Sequence, residues 1–116
     1  KHSNENPVYY IQYAFARCNS IMKKAKTISN TVSFDLLVEE KETLLIKQIS
    51  LFKEALNDVC RLREVNVLVN YIYKLAQLFH SFYNDNVVID ENNPELTNQR
   101  LCLVKATSII LKITLN

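Results

Sequence analysis

Glycine is absent from all 116 residues. Without it no position takes a positive φ freely, which excludes folds organised around tight two-residue hairpins and excludes glycine-rich phosphate loops of the nucleotide-binding kind. Helices are favoured instead. Proline occurs only at Pro7 and Pro94, and there is no Pro- or Gly-rich linker, internal repeat or low-complexity tract. Cysteine is also sparse: Cys18, Cys60 and Cys102 are odd in number, widely spaced and never in a CxxC pair. That pattern offers neither a disulfide framework nor a zinc site, and the three read as reduced, mostly buried thiols. No signal peptide and no apolar run of membrane-spanning length is present, so a soluble, cytoplasmic protein is expected.

What remains is an ordinary globular composition, 48% hydrophobic and 22% charged. A chain of this length buries about two thirds of its unfolded surface in one core, so a single domain over residues 1–116 is expected. The predicted fold is all-α, a helical bundle of about five helices. Asn6-Pro7 is a helix start, because Asn caps free amides and Pro suits the first helical position. The first helix runs from there to Ala25 or Ile28, and residues 27–35 form a connection. A second helix begins near Glu39 to Glu42, whose charges suit a helix N-terminus. A break near Ser50 to Phe52 separates it from a third that ends near Arg61. Leu68, Ile72, Leu75, Phe79 and Phe82, spaced four, three, four and three apart, mark a fourth helix from Val65 to Tyr83. Residues 84–98 read as a polar loop with a turn at Asn93-Pro94, and the last helix starts near Thr97 or Asn98. It is apolar nearly all round, hence central, and its lack of a C-cap implies a polypeptide that continues beyond Asn116.

The net charge of +2 hides an asymmetry. Residues 1–26 carry five basic residues against Glu5, a net +4, while the remainder carries nine basic and eleven acidic, a net −2. An anionic partner at the N-terminal end is implied. In the first helix Val8, Ile11, Phe15, Cys18, Met22 and Ala25 form the predicted buried stripe. Tyr10, Tyr13, Arg17, Ser20 and Lys24 repeat its spacing with an offset of two, which places them roughly opposite. Either the helix buries both faces, with the hydroxyls finding partners, or the rings stack on unpaired bases while the cations track phosphates. The charge asymmetry favours RNA.

Other candidates are weaker. His80 beside Ser81 is no catalytic pair, since adjacent helical residues point about 100° apart; it is a packing histidine or faces RNA. Glu39, Glu40 and Glu42 read as a solvated helix start rather than a metal site. Lys23, Lys24 and Lys26 are solvated surface or phosphate contacts. Arg61 and Arg63 suit a helix C-terminus, and Tyr73 with Gln77 fits either packing or polar contact.

NPVYYIQYAFAR, residues 6–17, resembles the NPVYYVQYAHAR segment that opens the anticodon-binding domain of bacterial arginyl-tRNA synthetases. YIYKLAQLFHSFYN, residues 71–84, is similar to that family's YLYDLAQAFHSFYN helix, and RLCLVKATSIIL, residues 100–111, to its RLALVEA segment in the last helix of the so-called DALR domain. Order and spacing agree across nearly the whole chain. Phe15 departs from the family's usual His, no strict D-A-L-R string remains beyond Arg100-Leu101, and the final LGI-type and PxxM segments are absent.

The resemblance implies an all-α anticodon-binding domain of a class I synthetase, with tRNA contacts at Tyr10, Tyr13, Arg17 and Tyr83 and in the lead-in that includes Asn6; Lys23 and Lys24, from their charge beside the tyrosines, and His80 complete the candidate set. Residues 1–6 would be a lead-in loop that touches tRNA and couples it to the catalytic domain. That domain, with its HIGH-type and KMSKS-type motifs, has no counterpart in this chain, so ATP and magnesium belong to the full-length arginine-tRNA ligase and no cofactor or metal is expected here. The implied partners are the anticodon stem-loop of tRNA(Arg) and the catalytic domain of the same polypeptide, with no DNA or membrane, in a monomer. Two alternatives stand: a stand-alone protein of this fold that assists tRNA modification, and a helical domain whose tyrosines pack on a partner protein.

Overall fold

The computed structural model describes residues 7–25, 34–62 and 65–115. The lead-in 1–6 with Asn6, Lys26 and Arg63 lie outside that range. Five helices are present: α1 (Pro7–Lys24), α2 (Glu40–Ser50), α3 (Phe52–Leu62), α4 (Val65–Asp85) and α5 (Pro94–Leu115), and no strand occurs among the described residues. The expected all-α bundle is therefore what the chain forms. α2 and α3 meet at Leu51, whose N–H still reaches Gln48 O and Ile49 O, so the break expected near Ser50 to Phe52 is a one-residue bend.

α4 and α5 carry the core. Ile72, Leu75, Phe79 and Phe82 are fully buried on the predicted α4 stripe, with Leu68 packed at its edge. Opposite them lie Leu101, Leu103, Val104 and Leu111 of α5 and Leu45 of α2. α1 packs chiefly on α5 and then α4, while α2 and α3 lie against α4. Each fully buried leucine or phenylalanine contributes about 2 kcal/mol by transfer from water, so this cluster dominates stability.

Three expectations are corrected. On α1 the buried residues are Ile11, Ala14, Cys18 and Ile21, whereas Val8 is 56% exposed and Phe15 and Met22 are only half-buried. The small Ala14 and Cys18 let α1 approach α5 closely, which rotates the buried stripe toward Tyr10 and leaves Val8 outside. Second, α5 starts at Pro94, a full turn before Thr97: proline suits the first helical position, and Thr97 N–H donates to Asn93 O at 2.9 Å.

Third, Glu42 is no solvated residue. It is fully buried and paired with Arg100, itself 9% exposed. One carboxylate oxygen accepts from Arg100 Nε and the other accepts the Glu39 N–H at 3.0 Å, which caps α2. Arg100 also donates to Val87 O at 2.6 Å and to Asn86 Oδ1 at 3.2 Å. Burying two charges is tolerated because every side of the guanidinium meets an acceptor.

Neighbouring polar residues of α5 act alike. Gln99 donates to Asp35 Oδ1 and accepts from Leu36 N–H, both at 2.9 Å. Thr97 Oγ1 accepts from Asp90 N–H and donates to Asp90 O. One turn of α5 thus ties down the segments before α2 and before α5 itself. α2 is also pinned to α4 by a reciprocal pair: the Tyr71 hydroxyl donates to Gln48 O while Gln48 Nε2 donates to Tyr71 O at 3.2 Å. Burial pushes the Tyr71 phenol up to about 12.

Candidate nucleic-acid interface

Tyr73, His80 and Tyr83 fall seven and three residues apart, so they share the face of α4 that meets α1. Tyr10, Tyr13 and Arg17 answer from α1 at spacings of three and four. The two sets interleave as a ladder of rings. Tyr10 lies 5.3 Å from Tyr73 and 4.8 Å, edge-on, from His80, whose other side stacks on Tyr13 at 5.0 Å. The ladder ends at Arg17, whose guanidinium lies 4.5 Å from the Tyr83 ring centroid and 5.3 Å from that of Tyr13, and donates a hydrogen bond to the Tyr13 hydroxyl. Tyr83 in turn stacks on the buried Phe79. Because Tyr83 is packed against the core and Tyr13 is braced by His80, the cation is held in place before any ligand arrives.

The two tyrosines of α1 differ in access. Tyr10 is half-buried, packs against the core, and has a phenol raised by burial and by Tyr73. Tyr13 is 45% exposed and is the more accessible ring of the two. The expectation that both face away from the core fails for Tyr10, because the α1 stripe is turned toward it. His80 is half-buried, and its Nε2 has no hydrogen-bond partner among the described residues. Burial, and then the Arg17 charge, lowers its pKa from the ordinary imidazole value, with the Tyr10 backbone opposing.

Beside the ladder runs a groove of about 380 Å³ lined by Tyr13, Ala16, Arg17, Ser20, Ile21, Lys24 and Tyr83. It holds two cations and no carboxylate, the composition that suits a phosphate. A second groove of about 520 Å³ shares Ile21, Lys24 and Tyr83 and is walled on its far side by residues 84–89. Beyond Lys24 the surface turns acidic at Asp90 and Glu91. Lys23 is exposed but lines neither groove.

The structure therefore gathers Tyr10, Tyr13, Arg17, Lys24, His80 and Tyr83 at one α1–α4 face, with Lys23 beside it. Sequence reasoning left Tyr73 undecided and did not single out Asn84 and Asn86. Tyr73 could have been found from its seven-residue spacing to His80; the asparagines gave no signal, because their place depends on how the chain leaves α4. No described residues form a cluster of three or more potential metal ligands, and no described helix is long and apolar enough to cross a membrane.

Five packed helices bearing a pre-ordered face of rings and cations define a small all-α binding domain. Comparison with known proteins gives its kinship: the chain belongs to the DALR anticodon binding domain family, which it matches over residues 11–116. It is 40% identical to the arginine-tRNA ligase of Thermotoga maritima, over 95% of this chain and 21% of that protein. The arginine-tRNA ligase of Bacillus subtilis is 44% identical over 94% of this chain and 20% of its own length. Arginine-tRNA ligase 1 of Halalkalibacterium halodurans is 42% identical over 98% and 21%. The chain thus spans about a fifth of the length of the curated relatives it matches. No solved structure matches it.

Proposed function

We propose that this domain recognises the anticodon loop of tRNA(Arg), and that within an arginine-tRNA ligase it does so for a catalytic domain carried elsewhere on the polypeptide. The observation that carries this reading is the Arg17 guanidinium held between Tyr13 and Tyr83 at the mouth of a groove with no carboxylate. The exposed Tyr13 ring is the stacking platform for an unpaired base, worth about 1 to 3 kcal/mol. Arg17 and Lys24 take the adjacent phosphates, and Lys23 adds to the field. His80, itself braced edge-on by Tyr10, supports the Tyr13 ring by stacking on it. Tyr83 lines both grooves. Binding energy gathered here, remote from the chemistry, would serve to place the acceptor end for arginylation, which needs ATP and magnesium in the catalytic domain. The protein would act as a cytoplasmic monomer.

Fluorescence anisotropy of an arginine-tRNA anticodon stem-loop tests it, against a loop with the central anticodon base changed and against Tyr13→Ala. Preference for the cognate loop, lost in the variant, is the expected result. With about three phosphates neutralised, log Kd should change with log salt at a slope of about 2 in magnitude. Equal, salt-insensitive binding to both loops would sink the proposal.

A further inference from the structure

We infer that Arg100 is a positioning residue that fixes from behind the shape of the second groove, which adjoins the phosphate groove at Ile21, Lys24 and Tyr83, by holding the segment 86–90 that supplies its far wall. That segment has no regular secondary structure, yet residues 86–89 line the groove opposite Ile21, Lys24 and Tyr83. Its anchors come from one turn of α5. Arg100 grips the start through Asn86 Oδ1 and Val87 O, Thr97 grips the end at Asp90, and Val88 is buried between them. Asn86 is additionally fixed by donating its Nδ2 to Phe82 O at 3.0 Å, at the last turns of α4.

The fork geometry of the guanidinium matters. Its Nε is committed to Glu42 while its two terminal nitrogens both point at the loop. Glu42 orients the fork, since its second oxygen is tied to the α2 cap and the carboxylate cannot turn. A lysine could pair with Glu42 but could not reach the Val87 carbonyl and Asn86 together. The wall of the groove is therefore set by a residue that touches neither groove.

The inference rests on the anticodon reading for its consequence but not for its test. Arg100→Lys keeps the buried charge paired, and Glu42→Met with Arg100→Met replaces the pair by apolar side chains without stranding a charge, a change that folds generally tolerate. Hydrogen exchange of amides 86–90 should rise at least about tenfold in both variants relative to amides in α1 and α4. Affinity for the stem-loop should fall about fivefold and discrimination at the central base should shrink. The salt slope should stay unchanged, because Arg17 and Lys24 are intact.

Unchanged exchange at 86–90 in a folded variant overturns the inference, whatever the RNA does. So does exchange that rises equally throughout the chain, or unfolding of both variants, which would make Arg100 a stability residue only. If the wild-type domain fails to bind the stem-loop while the variants still release 86–90, the anticodon reading falls and the clamp stands.

Discussion

Arg17 and Tyr83 offer a direct measure of how firmly the ring-cation face is built. Replacing Arg17 by Met keeps an unbranched stem on α1 and removes the charge; replacing Tyr83 by Leu removes the ring and keeps apolar bulk over Phe79. The guanidinium lies 4.5 Å from the Tyr83 centroid and 5.3 Å from that of Tyr13. A half-buried contact of this kind is worth about 0.5 to 1 kcal/mol. Arg17→Met forfeits two such contacts and one hydrogen bond, so a loss of about 1.5 kcal/mol and a fall in Tm of about 5 °C are expected. Urea unfolding of the two single variants and the double variant should return a coupling of about 0.5 to 1 kcal/mol with m unchanged. Arg17→Lys should fall between, since it keeps the charge but not the planar stack. A coupling under about 0.3 kcal/mol would refute the reasoning, because the guanidinium would then be free in solution rather than held for a phosphate.

Other expectations are cheaper to check. Because the folded pKa of His80 is lowered below its unfolded value, its share of stability is complete above about pH 6.5 and is lost as pH falls through the folded value; His80→Asn should flatten that part of a Tm-against-pH curve. Iodoacetamide at pH 8 should label Cys60, which is exposed, and spare Cys18, which is buried and whose thiol is pushed up to about 12; mass spectrometry of the native protein decides. Tyr71→Phe removes the hydroxyl bond from α4 to Gln48 O and should cost about 1 kcal/mol in a urea titration. Phe79→Ala, in the fully buried centre, should cost about 3 to 5 kcal/mol and leave little folded protein at 37 °C by circular dichroism.

The legible parts of this chain are those in which local periodicity and packing agree. α4 could be read almost to its ends because Ile72, Leu75, Phe79 and Phe82 repeat at helical spacing and all reach the core. α1 was found but turned: with apolar residues at 8, 11, 14, 15, 18, 21 and 22, two stripes were available, and the choice fell to the close approach permitted by Ala14 and Cys18. Glu42 was illegible, since a carboxylate in a run of acids looks solvated until a partner 58 residues away is brought to it. Arg100 is visible in the sequence only through the family resemblance of residues 100–111, for the same reason. At the candidate site the α1 residues were visible from spacing and charge, whereas the contacts of His80, edge-on to Tyr10 and stacked on Tyr13, required the α1–α4 crossing to be known.

The pairing of α1 with α5 has a consequence for the order of assembly. α2, α3 and α4 are neighbours in the chain and can meet as soon as they are made, but the surface that buries Ile11, Ala14, Cys18 and Ile21 is supplied largely by the last helix. During synthesis on a ribosome α1 emerges first and finds its seat last. Closing so long a loop slows folding and leaves an apolar, basic helix unaccompanied in the meantime. The rings and cations proposed to read RNA therefore become a surface only when α5 has arrived, so a nascent chain stopped before residue 94 should show no preference among stem-loops, whatever its helix content.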